Sequence, residues 1–318
     1  MKRARRVAIS LAFLLAPVPL DALAHAAGES AWTLDPRVTL PLMVAAALYA
    51  TGIARILRRT IARELHIRRL AWFVLGWSAL ALALLSPLHA AGERSFAAHM
   101  LEHEILMLVA APLLVLSRPL GVFAWALPFD ARRISGGIER NATFAAFWRV
   151  LTAPVVATSL QAITLWAWHA PIPFDAALRS SGWHVVQHLA FLASALAFWT
   201  SMLDEHRMRA RPGVAIACLF ATALVSGALG ALMALSWSPW YAAYAELGVT
   251  PEGLSAVEDQ QLAGLLMWIP GGAVHAGAAL AIMLRVLRAP AGDEMSGPRR
   301  RRVPGALHSG PAHGRRGG

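Results

Sequence analysis

Two pairs of histidines share one spacing: His99 with His103, and His184 with His188. On an α-helix, with about 3.6 residues per turn and a rise of about 1.5 Å per residue, positions i and i+4 lie on one face a turn apart. Each pair can therefore aim two imidazoles in one direction, and that is ligand chemistry. Neutral imidazole suits copper, iron and zinc, while thioether sulfur favours reduced copper. Met100 and Met107 occupy a neighbouring stripe as helpers for such an ion. Glu102, Glu104 and Asp259 are the carboxylates available to fix the tautomers of ligating rings. His89 and His169 are two further candidate ligands at the same level. His275 sits deeper, where joining the site and bridging helices are equal readings. The same imidazoles could serve as axial ligands of a b-type haem, so ion and haem both stay open.

The elements that must position these residues are membrane spans. Of 318 residues, 57% are hydrophobic and only 15% are charged, which is too apolar for an ordinary soluble domain. Apolar runs near 38–57, 70–87, 98–117, 150–168, 184–203, 213–236 and 261–285 predict an all-α, polytopic membrane bundle of seven transmembrane helices within residues 27–288. The long connection at 118–149 carries an apolar patch, Gly121–Phe129, read as an interfacial helix on the membrane surface. Residues 1–26 have the form of a secretory signal peptide, with Lys2, Arg3, Arg5 and Arg6 ahead of a short apolar run. Residues 289–318, rich in Gly, Pro and Arg, read as a disordered basic cytoplasmic tail.

Arginine placement sets the orientation. Arg55, Arg58, Arg59, Arg63, Arg68 and Arg69 fill the first connection, Arg118, Arg132, Arg133, Arg140 and Arg149 the third, and Arg207, Arg209 and Arg211 the fifth. The positive-inside rule then predicts an outside amino terminus and an inside carboxyl terminus. In that topology His89, His99, His103, His169, His184 and His188 all fall at the outer side. Ionisable groups at membrane depth are costly and face a cavity, a pathway or a partner.

The formal charge of +11 is absorbed by these loops and the tail, so nucleic acid is not an implied partner and the lipid bilayer is. The single cysteine, Cys218, excludes a disulfide framework and a thiolate metal site. Phosphate-binding, zinc-protease and serine-hydrolase signatures are absent from the sequence. The tryptophans, Trp199 among them, read as an aromatic belt. The small residues Ser226-Gly-Ala-Leu-Gly-Ala231 read as a helix-packing surface.

With these residues in place, the sequence resembles a known family. His99-Met-Leu-Glu-His103 running into Met107-Leu-Val-Ala-Ala-Pro-Leu-Leu-Val115, Trp168-His169 with Pro171 and Phe174-Asp-Ala-Ala-Leu178, then His184 and His188, then Glu258-Asp-Gln-Gln-Leu-Ala-Gly264 and Met267-Trp-Ile-Pro-Gly-Gly272 are similar to the CtaG-type cytochrome c oxidase assembly factors over about 38–287. The resemblance implies a multi-pass protein of the bacterial inner membrane that aids respiratory chain biogenesis. It implies a non-enzymatic role in copper delivery or insertion, with cytochrome c oxidase subunits and a periplasmic copper donor as partners. By position it marks His99, His103, His169, His184, His188 and Asp259. A b-type haem electron carrier and a copper transporter using His275 are the alternative functions.

Overall fold

A computed structural model describes residues 32–205 and 210–288. The signal segment expected over 1–26, the tail expected over 289–318 and part of the fifth connection lie outside the described residues. Among the described residues every regular element beyond an isolated bridge is helical. In chain order these are α1 (Pro36–Leu57), α2 (Arg63–Leu85), α3 (Pro87–Gly92), α4 (Phe96–Glu104), a π-helical turn (Ile105–Ala110), α5 (Ala111–Ser117), α6 (Pro119–Ala126), α7 (Phe129–Arg140) and α8 (Ala142–Leu151). They continue as α9 (Pro154–Trp168), α10 (Pro171–Arg179), α11 (Ser181–Met202), α12 (Pro212–Ala234), α13 (Ala242–Leu247) and α14 (Ala256–Arg288).

Six stretches are long and apolar enough to cross a membrane: α1, α2, α4 through α5, α11, α12 and α14. The fourth expected span, 150–168, differs from the expectation. Pro154 starts α9 afresh, and α8 meets it at a bend of 64°. Fifteen residues reach only about 22 Å, less than the roughly 30 Å of a hydrocarbon core. A seventh crossing exists only if α8 and α9 together count as one broken span. Topology supports that count: α4 and α11 both begin at the histidine end of the bundle, so the chain must travel back between them, and α9 carries it.

The connection expected to lie flat on the membrane forms three helices, and the first is docked. Gly52 of α1 leaves room for the backbone carbonyl of Val122 in α6, where a Cβ would collide with it. Val122 joins a core cluster with Tyr49, Ile53, Ile56 and Phe73. Arg55 donates to the carbonyls of Trp125, Ala126 and Leu127 at 2.9–3.1 Å, which satisfies the end of α6.

The span α4–α5 is the hub of the bundle, packed against α2, α11 and α14. It and α11 are the two most buried spans, 50% and 56% against 22–39% for the others, and they are the ones that carry the histidine pairs. Pro112 explains the π turn. In a regular helix its ring would meet the carbonyl of Leu108, and the wider turn just before it relieves that clash. The carbonyl of Met107, inside the turn, accepts from Trp199 Nε1 at 2.9 Å. Trp199 is buried in the core, not in an interfacial belt. The small-residue surface behaves as expected: a Cβ on Gly230 would lie 2.7 Å from the carbonyl of Gly264, so only glycine lets α12 and α14 approach this closely.

Candidate metal centre

The span α4–α5 packs on α11 through the π turn and α5, and the histidine-bearing starts of the two spans come together. One ring nitrogen from each of His99, His103, His184 and His188 lies within 4.8 Å of the others. Ring centroids are 4.4 Å apart in the first pair and 4.3 Å in the second, as the one-turn spacing requires. Across the helices, His99 stacks on His184 at 5.1 Å with planes 10° apart, and His103 meets His188 edge-on at 5.2 Å. His99, His103 and His188 are buried, and His184 is partly open.

Both ring nitrogens of His99 and of His103, and Nε2 of His184 and of His188, are buried without a hydrogen-bond partner. An orphaned buried polar group costs about 1–3 kcal/mol, and six such atoms share this one cluster. A single cation accepting one lone pair from each ring would satisfy one nitrogen on every imidazole. Four neutral imidazoles are a donor set that fits copper, zinc or iron.

His89, from α3, and Glu102 complete the outer layer. Glu102 is fully buried; its Oε1 lies 2.9 Å from His89 Nδ1 and 3.5 Å from His188 Nε2. Burial opposes the charged form of His89, but the hydrogen bond and the charge of Glu102 outweigh it and raise its pKa above the usual imidazole value. Ser86 starts α3 by accepting from the backbone N–H of Leu88. Tyr244, on α13, donates to the carbonyl of Gly92 at 2.6 Å, and burial holds its phenol well above its ordinary range.

Several expected contributors are engaged elsewhere. Asp259 does not touch an imidazole. Its carboxylate accepts from Ser95 Oγ at 2.8 Å and from the backbone N–H groups of Phe96 and Ala97 at 2.6 and 3.2 Å. It thus caps α4, a carboxylate at a helix N-terminus, and fixes the helix that bears His99 and His103. Glu104 points to the other side of α4 and lines a deeper cavity with Gln161, Thr222, Ser226 and His275. Met107 lines the same cavity, with its sulfur 3.6 Å from Gln161 Nε2. Met100 Sδ lies 3.3 Å from His169 Nε2, and His169 Nδ1 donates to the carbonyl of Leu165 at 2.7 Å. His169 therefore stands beside the four-ring group, 6.4 Å from His103 between centroids, and not in it. His275 donates Nδ1–H to the carbonyl of Gly271 at 2.6 Å and stacks on Trp199. Of its two readings, helix bridging is the one its contacts show.

Sequence reasoning missed Gln187, fully buried between the α11 histidines with its side-chain amide beside His99. A polar residue inside an apolar run at ligand depth was the available signal. It also missed α3, α10 and α13, the short helices that roof the site. Pro87 and Pro171, each at a helix start, mark the first two. Phe174 of α10 closes one side, 5.2 Å from His99 between ring centroids.

Neither a curated protein nor a solved structure matches the chain. A family profile does: that of the cytochrome c oxidase caa3 assembly factor (Caa3_CtaG), over residues 47–289. That range contains the hub span, all four clustered imidazoles and all of α14, and the chain belongs to this family of membrane-embedded oxidase assembly factors.

Proposed function

We propose that this protein serves oxidase assembly by holding a copper ion, as cargo, between His99, His103, His184 and His188 and releasing it to an oxidase subunit. The observation that carries the reading is the orphaned four-imidazole cluster. Burying that many lone pairs without partners is unfavourable unless a cation fills the space between them. Glu102 supports the reading as the carboxylate that holds His89 beside the cluster. His169 and Met100 flank the ion as neighbours. The histidine end faces the outside of a bacterial inner membrane, in keeping with the arginines of the opposite connections. A periplasmic copper donor supplies the ion there, and residues 1–26 direct the chain to that route.

The contacts favour an ion over haem. Bis-histidine haem ligation needs a flat slot between two imidazoles, whereas these rings meet each other directly at 4.3–5.2 Å. Transport through the bundle is less well supported, since His275 is held by Gly271 and Trp199. Copper loading of the purified protein tests the proposal. Copper above background without a Soret band is expected, together with background copper in the variant with all four histidines changed to alanine. Wild-type protein without copper after loading, or a variant that loads equally, overturns it.

A further inference from the structure

We infer that His89, Glu102 and His184 form a second ion position, an exchange site that adjoins the four-imidazole cluster and opens to a cavity; this rests on the proposal that the cluster holds a metal ion. One potential ligand atom from each of these three residues lies within 4.8 Å of the others. His184 belongs to both groups, so the two positions share a ligand and an ion passes between them by ligand exchange. Glu102 Oε2 is buried and has no hydrogen-bond partner, although the other oxygen is engaged by His89. The unused oxygen is a built-in anionic ligand that the hydrogen bond to His89 does not explain.

The surroundings separate the two positions by access. His89 and His184 line a cavity of about 480 Å³, with His188 of the inner group at its edge, whereas Glu102, His99 and His103 lie behind them and do not line it. A position with three protein ligands and an opening is the arrangement that leaves a fourth place for an incoming ligand. Asp35 and Glu93 stand on the cavity wall with Arg179, so carboxylates outnumber cations where an ion would arrive or leave. Two imidazoles and a carboxylate form a harder set than four imidazoles, suited to a borderline divalent ion such as cupric copper or zinc. The inner position holds the ion by nitrogen alone, and the outer one hands it to a ligand supplied from the cavity.

The test uses the full chain in detergent loaded with cupric ion, read by metal content and electron paramagnetic resonance. In the His103→Ala/His188→Ala variant, which removes only inner ligands, copper is expected to remain bound with a mixed nitrogen and oxygen signature. Adding Glu102→Gln to that variant should then remove it. A folded double variant without copper, or one whose copper ignores Glu102→Gln, overturns the second position. If wild-type protein takes up no copper, the four-imidazole reading fails first, and the two failures are thereby distinguished. Where the double variant does not fold, extraction of copper from otherwise intact protein by a chelator decides. An exchange ligand makes Glu102→Gln release copper about tenfold more slowly, whereas a carboxylate that only orients His89 makes release faster.

Discussion

Buried imidazoles occur in two kinds of place in this molecule, and the difference between them locates the function. His169 and His275 each donate Nδ1–H to the carbonyl four residues back, Leu165 and Gly271, and each lies against aromatic rings. They are satisfied within their own turn of chain. His99, His103, His184 and His188 meet across two helices, and each has a buried ring nitrogen that makes no hydrogen bond. Residue type is the same in both sets. Of the two sets, only the second leaves buried ring nitrogens without a hydrogen-bond partner.

The largest effect that could break this comparison is ligand-linked stability. Copper at a thousandfold excess over its dissociation constant should stabilise wild-type protein by about 4 kcal/mol. The variant with His99, His103, His184 and His188 all changed to leucine should show none of it in thermal unfolding with and without copper. An equal copper shift in both proteins would erase the distinction between the two sets.

Next in size is the frame that holds the first pair. Asp259→Ala removes a buried carboxylate with three hydrogen bonds at the start of α4 and should cost about 2–3 kcal/mol in the metal-free protein. It should also weaken copper binding, measured by competition with a chelator, because His99 and His103 lose their fixed direction. Unchanged affinity would mean that the imidazoles are not preorganised by that cap.

Two smaller effects should have opposite signs. His275→Leu forfeits a satisfied hydrogen bond and should destabilise the metal-free protein by about 1–2 kcal/mol while copper content stays unchanged. His103→Leu removes two orphaned nitrogens and should stabilise the metal-free protein by about 1 kcal/mol. Denaturation of both variants without metal gives the comparison, and a shared sign would contradict it.

Much of the architecture was legible because membrane burial writes long apolar runs. The ends of α1, α11 and α12 fall within three residues of the runs at 38–57, 184–203 and 213–236. The shared spacing and depth of His99/His103 and His184/His188 were legible from sequence, but whether the two pairs face each other was not, and the fold supplies that contact. What sequence could not give was direction around the helix axis. Glu102 and Glu104 are two residues apart, so one turns toward His89 and the other toward Gln161 and His275. Asp259 was picked out as a functional position, but its role as a helix cap depends on the fold bringing α14 to Ser95. The bend at Pro154 and the π turn before Pro112 each had a proline as a sign, yet proline alone does not say whether a helix breaks, bends or widens.

The most direct measurement is X-ray absorption at the copper edge of the loaded, purified protein. Light scatterers only are expected, with the outer-ring signal of several imidazoles, and loss of that signal in the variant with His99, His103, His184 and His188 all changed to alanine. Sulfur from Met100 or Met107 dominating the copper environment, or copper with no imidazole signal, would contradict it.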